Sequence, residues 1–263
     1  MEPARLMSFN VRYDTATDGV HNWAHRRRLV AETVRYHDPD VVGVQEAMTH
    51  QLRELESMLP AYEWVGDPRD TAARSGEHTA VGYRRARFTA AATDTFWLSE
   101  TPEAANSVGW DARHPRVATW ARLHEPGADR AMVVLNTHLD HQGERARREG
   151  IKVALARLAG LVDDDVVVCC GDFNCVVGDP AHAAASDYPL PDGRHLRDSR
   201  RLAPRCHGPT TTRTDFEGLV PDMGIDHVFV SDDVEVTGWS AVTDRDDTHY
   251  ASDHLPVVVD CLF

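Results

Sequence analysis

Lysine is almost absent from this chain of 263 residues, in which Lys152 is the only one. Acidic residues outnumber basic ones, 42 Asp and Glu against 28 Lys and Arg, and the formal net charge is −14. A surface with this charge repels polyanions on average. Tight, sequence-independent binding of long duplex DNA needs several Lys or Arg side chains that neutralise phosphates. The composition therefore argues against such binding, although a local basic patch would still permit it.

Long apolar runs are also missing. No stretch approaches the roughly 20 apolar residues that a membrane-spanning helix needs, and the start, Met1–Arg5, lacks the long apolar region of a signal peptide. We therefore expect no membrane span and a cytoplasmic location. The five cysteines lack paired C-x-x-C spacing, so we expect reduced side chains in or near the core and no zinc site. Nothing in the composition divides the chain, and we expect a single domain over residues 1–263.

The chain is organised around an apolar run, Val166–Cys170, which ends at Gly171 and is followed by Asp172 and Asn174. A short β-branched run bounded by acidic residues and a glycine is typical of a central strand that is covered on both faces. Side chains two residues apart on extended chain share a side, so Asp172 and Asn174 are predicted to face the same ligand. For an isolated Asp-x-Asn pattern, the alternative is an Asx turn that closes the strand.

The rest of the pattern predicts strands mixed with helices, and hence an α/β protein. Helical spacing of apolar residues indicates helices over 22–37, after Glu46, and over 143–161. Short apolar or alternating runs predict strands over 5–11, 40–46, 62–65, 77–84, 87–93, 115–123, 131–139, 224–231, 234–242 and 255–260. The segments 66–76, 101–114 and 180–214 are predicted to be loops, the last with at most one short helix.

Eight polar residues each flank one of these apolar runs, and ligands of α/β sheets bind where strand ends gather. They are Asn10, Glu46, His138, Asp172, Asn174, Asp226, Asp253 and His254. The set contains carboxylates suited to Mg²⁺ or Mn²⁺, amides that can hold a phosphate or an attacking water, and two histidines with carboxylates that can orient them. Each residue alone is more simply a solvated turn or a core residue, but their repetition predicts one shared site.

Six short motifs carry a resemblance to a known family. They are Ser8–Arg12, Val44–Glu46, Asn136–His141, Gly171–Asn174, Ile225–His227 and Ser252–Pro256. In this order, across nearly the whole chain, they resemble the motifs of the endonuclease/exonuclease/phosphatase superfamily, nearest to its nocturnin-like and bacterial branch. The resemblance implies a four-layer α/β/β/α sandwich of two packed mixed β-sheets, the fold of DNase I. It also implies a hydrolase of phosphoesters that depends on Mg²⁺ or Mn²⁺.

The resemblance further implies roles for individual residues. Glu46 resembles the family's principal Mg²⁺ ligand, with Asn10 and Asp253 near the same ion or its waters. Asp172 and Asn174 resemble the pair that holds the attacking water and the phosphate. Water would attack phosphorus in line with the leaving oxygen, and no covalent intermediate with the protein would form.

The two histidines resemble further parts of such a site. His254 is similar to the histidine at the scissile phosphate, kept in orientation by Asp226, and either Asp172 or His254 would be the general base. His138 resembles a histidine that can protonate the leaving oxygen. Glu77 lies where the partner of His138 would be expected.

Three other residues are predicted to contact the substrate. Arg116 would bind a phosphate oxygen, and Tyr83, six residues after Glu77, is placed with it among the substrate-binding residues. Trp110 either stacks on a base or sugar or packs within its loop.

The motifs do not distinguish a phosphodiester from a phosphomonoester substrate. A nuclease or phosphodiesterase is one reading, and a phosphatase of a small sugar, nucleotide or lipid phosphate is the alternative. The acidic composition favours a small molecule or an oligonucleotide end over long duplex DNA. A binding module that kept the fold and lost the reaction is the alternative from a different functional class.

Overall fold

Two mixed β-sheets lie at the centre of the protein in a computed structural model, which describes residues 3–71 and 76–263. In chain order, the strands of this described part are β1 (Pro3–Asn10), β2 (Val41–Met48), β3 (Tyr62–Val65), β4 (Glu77–Arg84), β5 (Thr89–Trp97), β6 (Val117–His124), β7 (Met132–His138), β8 (Val166–Asp172), β9 (Leu196–Asp198), β10 (Cys206–His207), β11 (Asp226–Ser231), β12 (Glu235–Ala241) and β13 (Val257–Leu262). The helices are α1 (Trp23–His37), α2 (Thr49–Met58), α3 (Glu144–Leu161), α4 (Pro180–Ala185) and α5 (Ser199–Leu202), and a 3₁₀ helix covers Ala16–His21.

The order of the strands places four strand ends together. One sheet has the order β10-β12-β13-β1-β2-β4-β3, and the other has the order β5-β6-β7-β8-β11-β9. Near the middle of the first sheet β1 runs parallel to β2, and near the middle of the second β7 runs parallel to β8. Parallel neighbours deliver their carboxyl ends to the same edge of a sheet. The last residues of these four strands include several of the predicted site residues.

Apolar side chains fill the spaces between four layers. The space between the two sheets holds Leu6, Val81, Val134, Val168 and Val257 among others. Helices α1 and α2 cover the outer face of the first sheet, and α3 and α4 cover that of the second, through further buried clusters that include Val30, Leu55, Ile151 and Leu158. This is a four-layer α/β/β/α sandwich of two mixed sheets, so the expected fold is confirmed.

Most of the predicted helices and strands are present close to their predicted bounds. Helix α1 ends at His37 because Asp38 adopts the left-handed conformation (φ 53°) and Pro39 follows. The prediction for 180–214 was wrong, because the segment contains α4, β9, α5 and β10. These elements are too short to give a periodic pattern.

Parts of two predictions lie outside the described residues. They are residues 72–75 of the predicted loop 66–76, and Met1 and Glu2 of the start of the chain. None of the helices in the described ranges combines the length and the hydrophobicity that crossing a membrane requires. All five cysteines are free, and Cys206 is exposed while the others are buried.

Gly171 stands where two strands touch. It lies in β8 with φ 148°, beside Thr137 of β7 in the parallel register. A Cβ atom on Gly171 would lie 1.9 Å from the carbonyl oxygen of Thr137. Non-bonded atoms cannot approach so closely, so only glycine lets these strands pair as far as His138 and Asp172.

Candidate active site

Backbone register places three of the predicted residues in a row. His138, at the end of β7, pairs with Asp172, at the end of the parallel strand β8. Asp172 pairs in turn with Asp226, the first residue of the antiparallel strand β11. The side chains of all three are buried. Main-chain hydrogen bonds therefore fix the positions of these groups relative to one another.

A β-bulge directs Glu46 into the same region. The pairing of β2 with β4 shifts between Val44 and Ala47, and Glu46 itself has φ 63°. Bulges of this kind re-aim a side chain that regular alternation would send elsewhere. The carboxylate oxygen Oε1 accepts a hydrogen bond from Nδ2 of Asn10 at 3.0 Å, and Oε2 accepts one from the backbone N–H of Tyr13 at 3.1 Å.

Asp172 is at the centre of the site. Its Oδ1 accepts the backbone N–H of Asn174 at 2.9 Å, and its Oδ2 accepts Nδ2 of Asn10 at 2.9 Å. Oδ2 also lies 3.4 Å from Nε2 of His138 and 3.6 Å from Nε2 of His254. The Asx turn considered as an alternative is thus present, and it leaves Oδ2 free to face the site.

Burial raises the pKa of Asp172 to about 6, although the nearby His254 and two hydrogen bonds oppose the rise.

Asn174 reaches the site by a different route from the predicted one. Its φ of 48° is left-handed, so the alternation of extended chain does not apply to it. Its Nδ2 nevertheless lies 3.1 Å from Nε2 of His138 and donates to the carbonyl oxygen of Leu139 at 3.0 Å. Burial, followed by the positive charge of Arg116, lowers the pKa of His138 well below its usual range. His138 is therefore neutral at physiological pH.

His254 is held between a carboxylate and an arginine. Its Nδ1 lies 2.8 Å from Oδ2 of Asp226, which also accepts the hydroxyl of Thr212 at 2.6 Å. Its Nε2 lies 2.5 Å from Nη1 of Arg213. Because Nδ1 donates to Asp226 and Arg213 can only donate, Nε2 is the acceptor here and the ring carries one proton.

The ring of His254 has a strong tendency to take a second proton. Burial lowers its pKa, but the carboxylates of Asp226 and Asp172 outweigh burial and raise the pKa to about 10. A pKa of about 10 corresponds to a cationic ring at neutral pH, and a cationic ring requires Arg213 to lie away from Nε2, since two donors cannot share a hydrogen bond.

Four arginines line a cleft of about 360 Å³ that contains these groups. They are Arg12, Arg69, Arg116 and Arg213, and only Arg116 was predicted to take part. Arg116 is buried, with Nε 3.3 Å from Asp140 and Nη2 2.8 Å from Nδ1 of His141. Its Nη1 has no hydrogen-bond partner among the described residues. A strongly acidic chain thus presents a cluster of guanidinium groups in this one cleft.

Glu77 lines the cleft but pairs with a different residue from the one predicted. Its carboxylate forms an ion pair with Arg69, and no hydrogen bond joins it to His138 among the described contacts. Burial raises the pKa of Glu77 to about 7, against the opposing effect of Arg69. The loop that supplies Arg69 gave no pattern from which this pair could be predicted.

Three predicted residues neither line the cleft nor, among the described contacts, form hydrogen bonds with the carboxylates and histidines that line it. Tyr83 is buried in the core between the sheets, because six residues of extended strand, roughly 20 Å, separate it from Glu77. Its assignment to substrate binding was wrong. Trp110 is half-buried and does not line the cleft. Asp253 does not line the cleft either, and its carboxylate lies 3.0 Å from Arg213 and 3.7 Å from Arg12.

Glu46, His138 and Asp172 form a group that could hold a metal ion. One ligand atom from each lies within 4.8 Å of the others. Two carboxylates provide the hard, anionic oxygens that Mg²⁺ and Mn²⁺ prefer, so the residues fit such an ion. The amide of Asn10 connects the two carboxylates through Nδ2, and its Oδ1 accepts the backbone N–H of Arg12 at 2.9 Å.

A second group, Asp172, Asp226 and His254, is also close enough to share an ion. There the imidazole of His254 donates to Asp226, so the first group is the better metal site.

The chain matches the family model described as Endonuclease/Exonuclease/phosphatase family over residues 7–254. It belongs to this family, whose members are hydrolases that act on phosphoester bonds. The resemblance carried by the six motifs is thereby confirmed.

Three solved structures are similar to this chain over nearly its whole length. The endonuclease/exonuclease/phosphatase from Bacteroides vulgatus is 30% identical, with a TM-score of 0.93 and 100% of both chains covered. A mannosyl-6-phosphatase from Bacteroides thetaiotaomicron is 29% identical, with a TM-score of 0.90, and the match covers 99% of this chain and 100% of the other. The catalytic domain of human nocturnin shares the fold. It is 19% identical, with a TM-score of 0.77, and the match covers 99% of this chain and 93% of the other.

Proposed function

We propose that this protein is a divalent-metal-dependent phosphomonoesterase that releases inorganic phosphate from a small phosphate ester, with a hexose phosphate as the leading candidate. The observation that carries the proposal is the convergence of Glu46, Asp172, His138 and His254 with four arginines in one cleft. A cleft of about 360 Å³ has the size of small-molecule sites. The likeness to a mannosyl-6-phosphatase along the whole chain favours a monoester over a diester.

Glu46 and Asp172, with His138 beside them, would hold a Mg²⁺ or Mn²⁺ ion. When bound, such an ion supplies positive charge that polarises a phosphate oxygen and stabilises developing negative charge. Asn10 donates to both carboxylates and so holds them at a fixed separation.

The protein's own residues would divide the proton transfers and the charge stabilisation among themselves. Asp172, with a pKa of about 6, is deprotonated at neutral pH and can accept a proton from the attacking water. As the ester P–O bond breaks, His254, once released by Arg213, donates a proton to the departing ester oxygen, which leaves as the alcohol, while Asp226 keeps the ring in orientation. Arg116, whose Nη1 has no partner among the described residues, offers an N–H donor to the extra negative charge that develops on the phosphate in the transition state, and Asn174 positions His138 beside it.

The test is an assay of phosphate release by the purified protein with Mg²⁺ or Mn²⁺. The panel contains hexose phosphates and mononucleotides as monoesters, and bis(nitrophenyl) phosphate and a labelled oligonucleotide as diesters. We expect release of inorganic phosphate from a monoester. Cleavage of the diesters without release of phosphate would instead identify a phosphodiesterase, and binding of Mg²⁺ without turnover of any ester would identify a binding module.

Variants connect this activity to the site. Glu46→Gln and His254→Gln are expected to lower kcat by about a hundredfold or more, the effect of removing one essential charge-stabilising group. Glu56→Gln changes an exposed carboxylate on α2 and is the matched control. Turnover by Glu46→Gln or His254→Gln at the rate of the control would contradict the proposal.

We further propose that residues 1–263 work as one domain, since the cleft combines residues from Arg12 to His254. Five free cysteines are consistent with a reducing compartment, which supports the proposed cytoplasmic location.

A further inference from the structure

A second cavity, of about 470 Å³, adjoins the cleft and is larger than it. Apolar walls come from Val177, Val228 and Trp239, and a charged rim comes from Arg200 and Arg201. Val177 is 48% exposed, which is high for a large apolar side chain. The residues assigned to the metal or the phosphate do not line this second cavity, but Asp226, which orients His254, does.

The shared wall is built from the segment 222–226. Met223 and Ile225 line the cleft, whereas Asp222, Gly224 and Asp226 line the second cavity. Residues of one short segment thus face both the cleft and the second cavity. An occupant of the second cavity would press on the same segment that shapes the cleft.

Thr212 connects this wall to the catalytic histidine. Its hydroxyl donates to Oδ2 of Asp226 at 2.6 Å and accepts the backbone N–H of Ile225 at 3.0 Å. Oδ2 of Asp226 also accepts Nδ1 of His254, while Oδ1 of Asp226 is buried and has no partner among the described residues. A buried carboxylate oxygen without a donor is costly, and Asp226 lines the second cavity, so a group that binds there changes the environment of this carboxylate.

Arg200 is the group at the rim that could hold an anion, because none of its described contacts is an ion pair with a carboxylate. Arg200 lies 4.5 Å from the centre of the Trp239 ring, and its guanidinium donates one hydrogen bond within the described part of the chain, to the carbonyl oxygen of Thr210 at 3.3 Å. Arg201 lies 3.9 Å from Asp198, which His182 also contacts at 3.2 Å. Of the other two carboxylates that line the cavity, Asp226 is bound by His254, and Asp222 is exposed. The guanidinium of Arg200 therefore keeps donors for a carboxylate or phosphate group, and the apolar walls would cover the rest of that molecule.

We propose that the second cavity binds a small organic anion with an apolar body, and that its binding changes the rate of hydrolysis in the cleft through the wall formed by residues 222–226. The binding of an anion is inferred from the second cavity alone. The effect of that binding on hydrolysis rests on the proposed function. Coupling between two such sites is reciprocal, so a ligand of the cleft must also change the affinity of the second cavity.

Binding is tested by calorimetric titration of the purified protein with two probes, naphthoate for a carboxylate and naphthylmethylphosphonate for a phosphate-like group. Saturable binding of either is expected, and the tighter probe identifies the preferred anion. Arg200→Met should weaken binding about tenfold or more, the loss of one charge-assisted hydrogen bond. Arg205→Met removes an exposed arginine that does not line the second cavity, and it should leave Kd unchanged.

Two binding results would overturn the proposal. One is the absence of saturable binding of both probes to the unmodified protein. The other is binding that is lost in Arg116→Met but kept in Arg200→Met, because this would place the probe in the cleft.

Coupling is tested by measuring phosphate release with and without a saturating concentration of the bound probe. A change in kcat/KM of about fivefold or more is expected in the unmodified protein, and none in Arg200→Met, whose basal activity should be normal. Equal kcat/KM with and without the probe would refute the coupling. If no ester is hydrolysed at all, the proposed function fails, and the titrations still decide whether the second cavity binds anions.

Discussion

Replacing Gly171 by alanine should damage the fold and the site together. The new Cβ would lie 1.9 Å from the carbonyl oxygen of Thr137, so β7 and β8 would have to separate by about 1 Å. Forced overpacking costs about 1–3 kcal/mol, and a side chain at positive φ adds about 1–2 kcal/mol. We therefore expect Gly171→Ala to lower the free energy of unfolding by about 2–5 kcal/mol in urea titrations. Phosphate release should fall as well, since the same movement displaces His138 from Asp172.

Gly160→Ala is the matched control. Gly160 lies near the end of α3, is exposed, and has no atom within 4 Å of the position that a Cβ would take. Alanine in a helix is favoured over glycine, so this variant should gain about 0.5–1 kcal/mol and keep full activity. If Gly171→Ala unfolded at the same urea concentration as the unmodified protein, with normal turnover, the close approach of β7 and β8 would not exist.

Three further predictions concern buried polar groups. Burial lowers the pKa of His227 to about 4 from an ordinary 6.5, so the unfolded chain binds this proton first as the pH falls. The free energy of unfolding should thus drop by about 3 kcal/mol between pH 6.5 and 4, and urea titrations of His227→Gln should lack this part of the slope. Arg26→Met should lower the free energy of unfolding by about 3–5 kcal/mol in the same assay. The reason is that buried Arg26 donates to the carbonyl oxygens of Val11 at 3.0 Å and Ala251 at 2.7 Å. A decrease below about 1 kcal/mol would contradict this prediction. Arg116→Lys should raise KM for the phosphate ester about tenfold with the fold intact, since lysine cannot reproduce the planar set of donors, and an unchanged KM would exclude Arg116 from phosphate binding.

Much of the fold could be predicted because its central strands are strongly apolar and end at polar residues. The apolar run Val166–Cys170 and the polar residues that follow it are enough to predict the position of β8 and of Asp172. The short elements between residues 180 and 214 could not be predicted, since two to six residues carry no period. The prediction for Tyr83 was wrong because β4 begins at the cleft with Glu77 and runs away from the cleft, and the sequence alone does not show this direction.

The site residues that could not be predicted from the sequence are mainly arginines. Arg69 and Arg213 belong to loops, where no hydrophobic period shows which way a side chain points. In a chain whose basic side chains are nearly all arginines, residue type alone could not single them out. Glu46 was predicted from its motif, but the bulge that turns it into the cleft was not visible in the sequence.

The row formed by His138, Asp172 and Asp226 has a consequence for how this scaffold could diversify. Neighbouring strands hold these three groups through the main chain, so mutations in distant side chains leave their spacing intact. The arginines that would meet the rest of a substrate come largely from connecting segments, which tolerate changes in length and composition. New substrate preferences can therefore arise by replacing loops around an unchanged reaction centre.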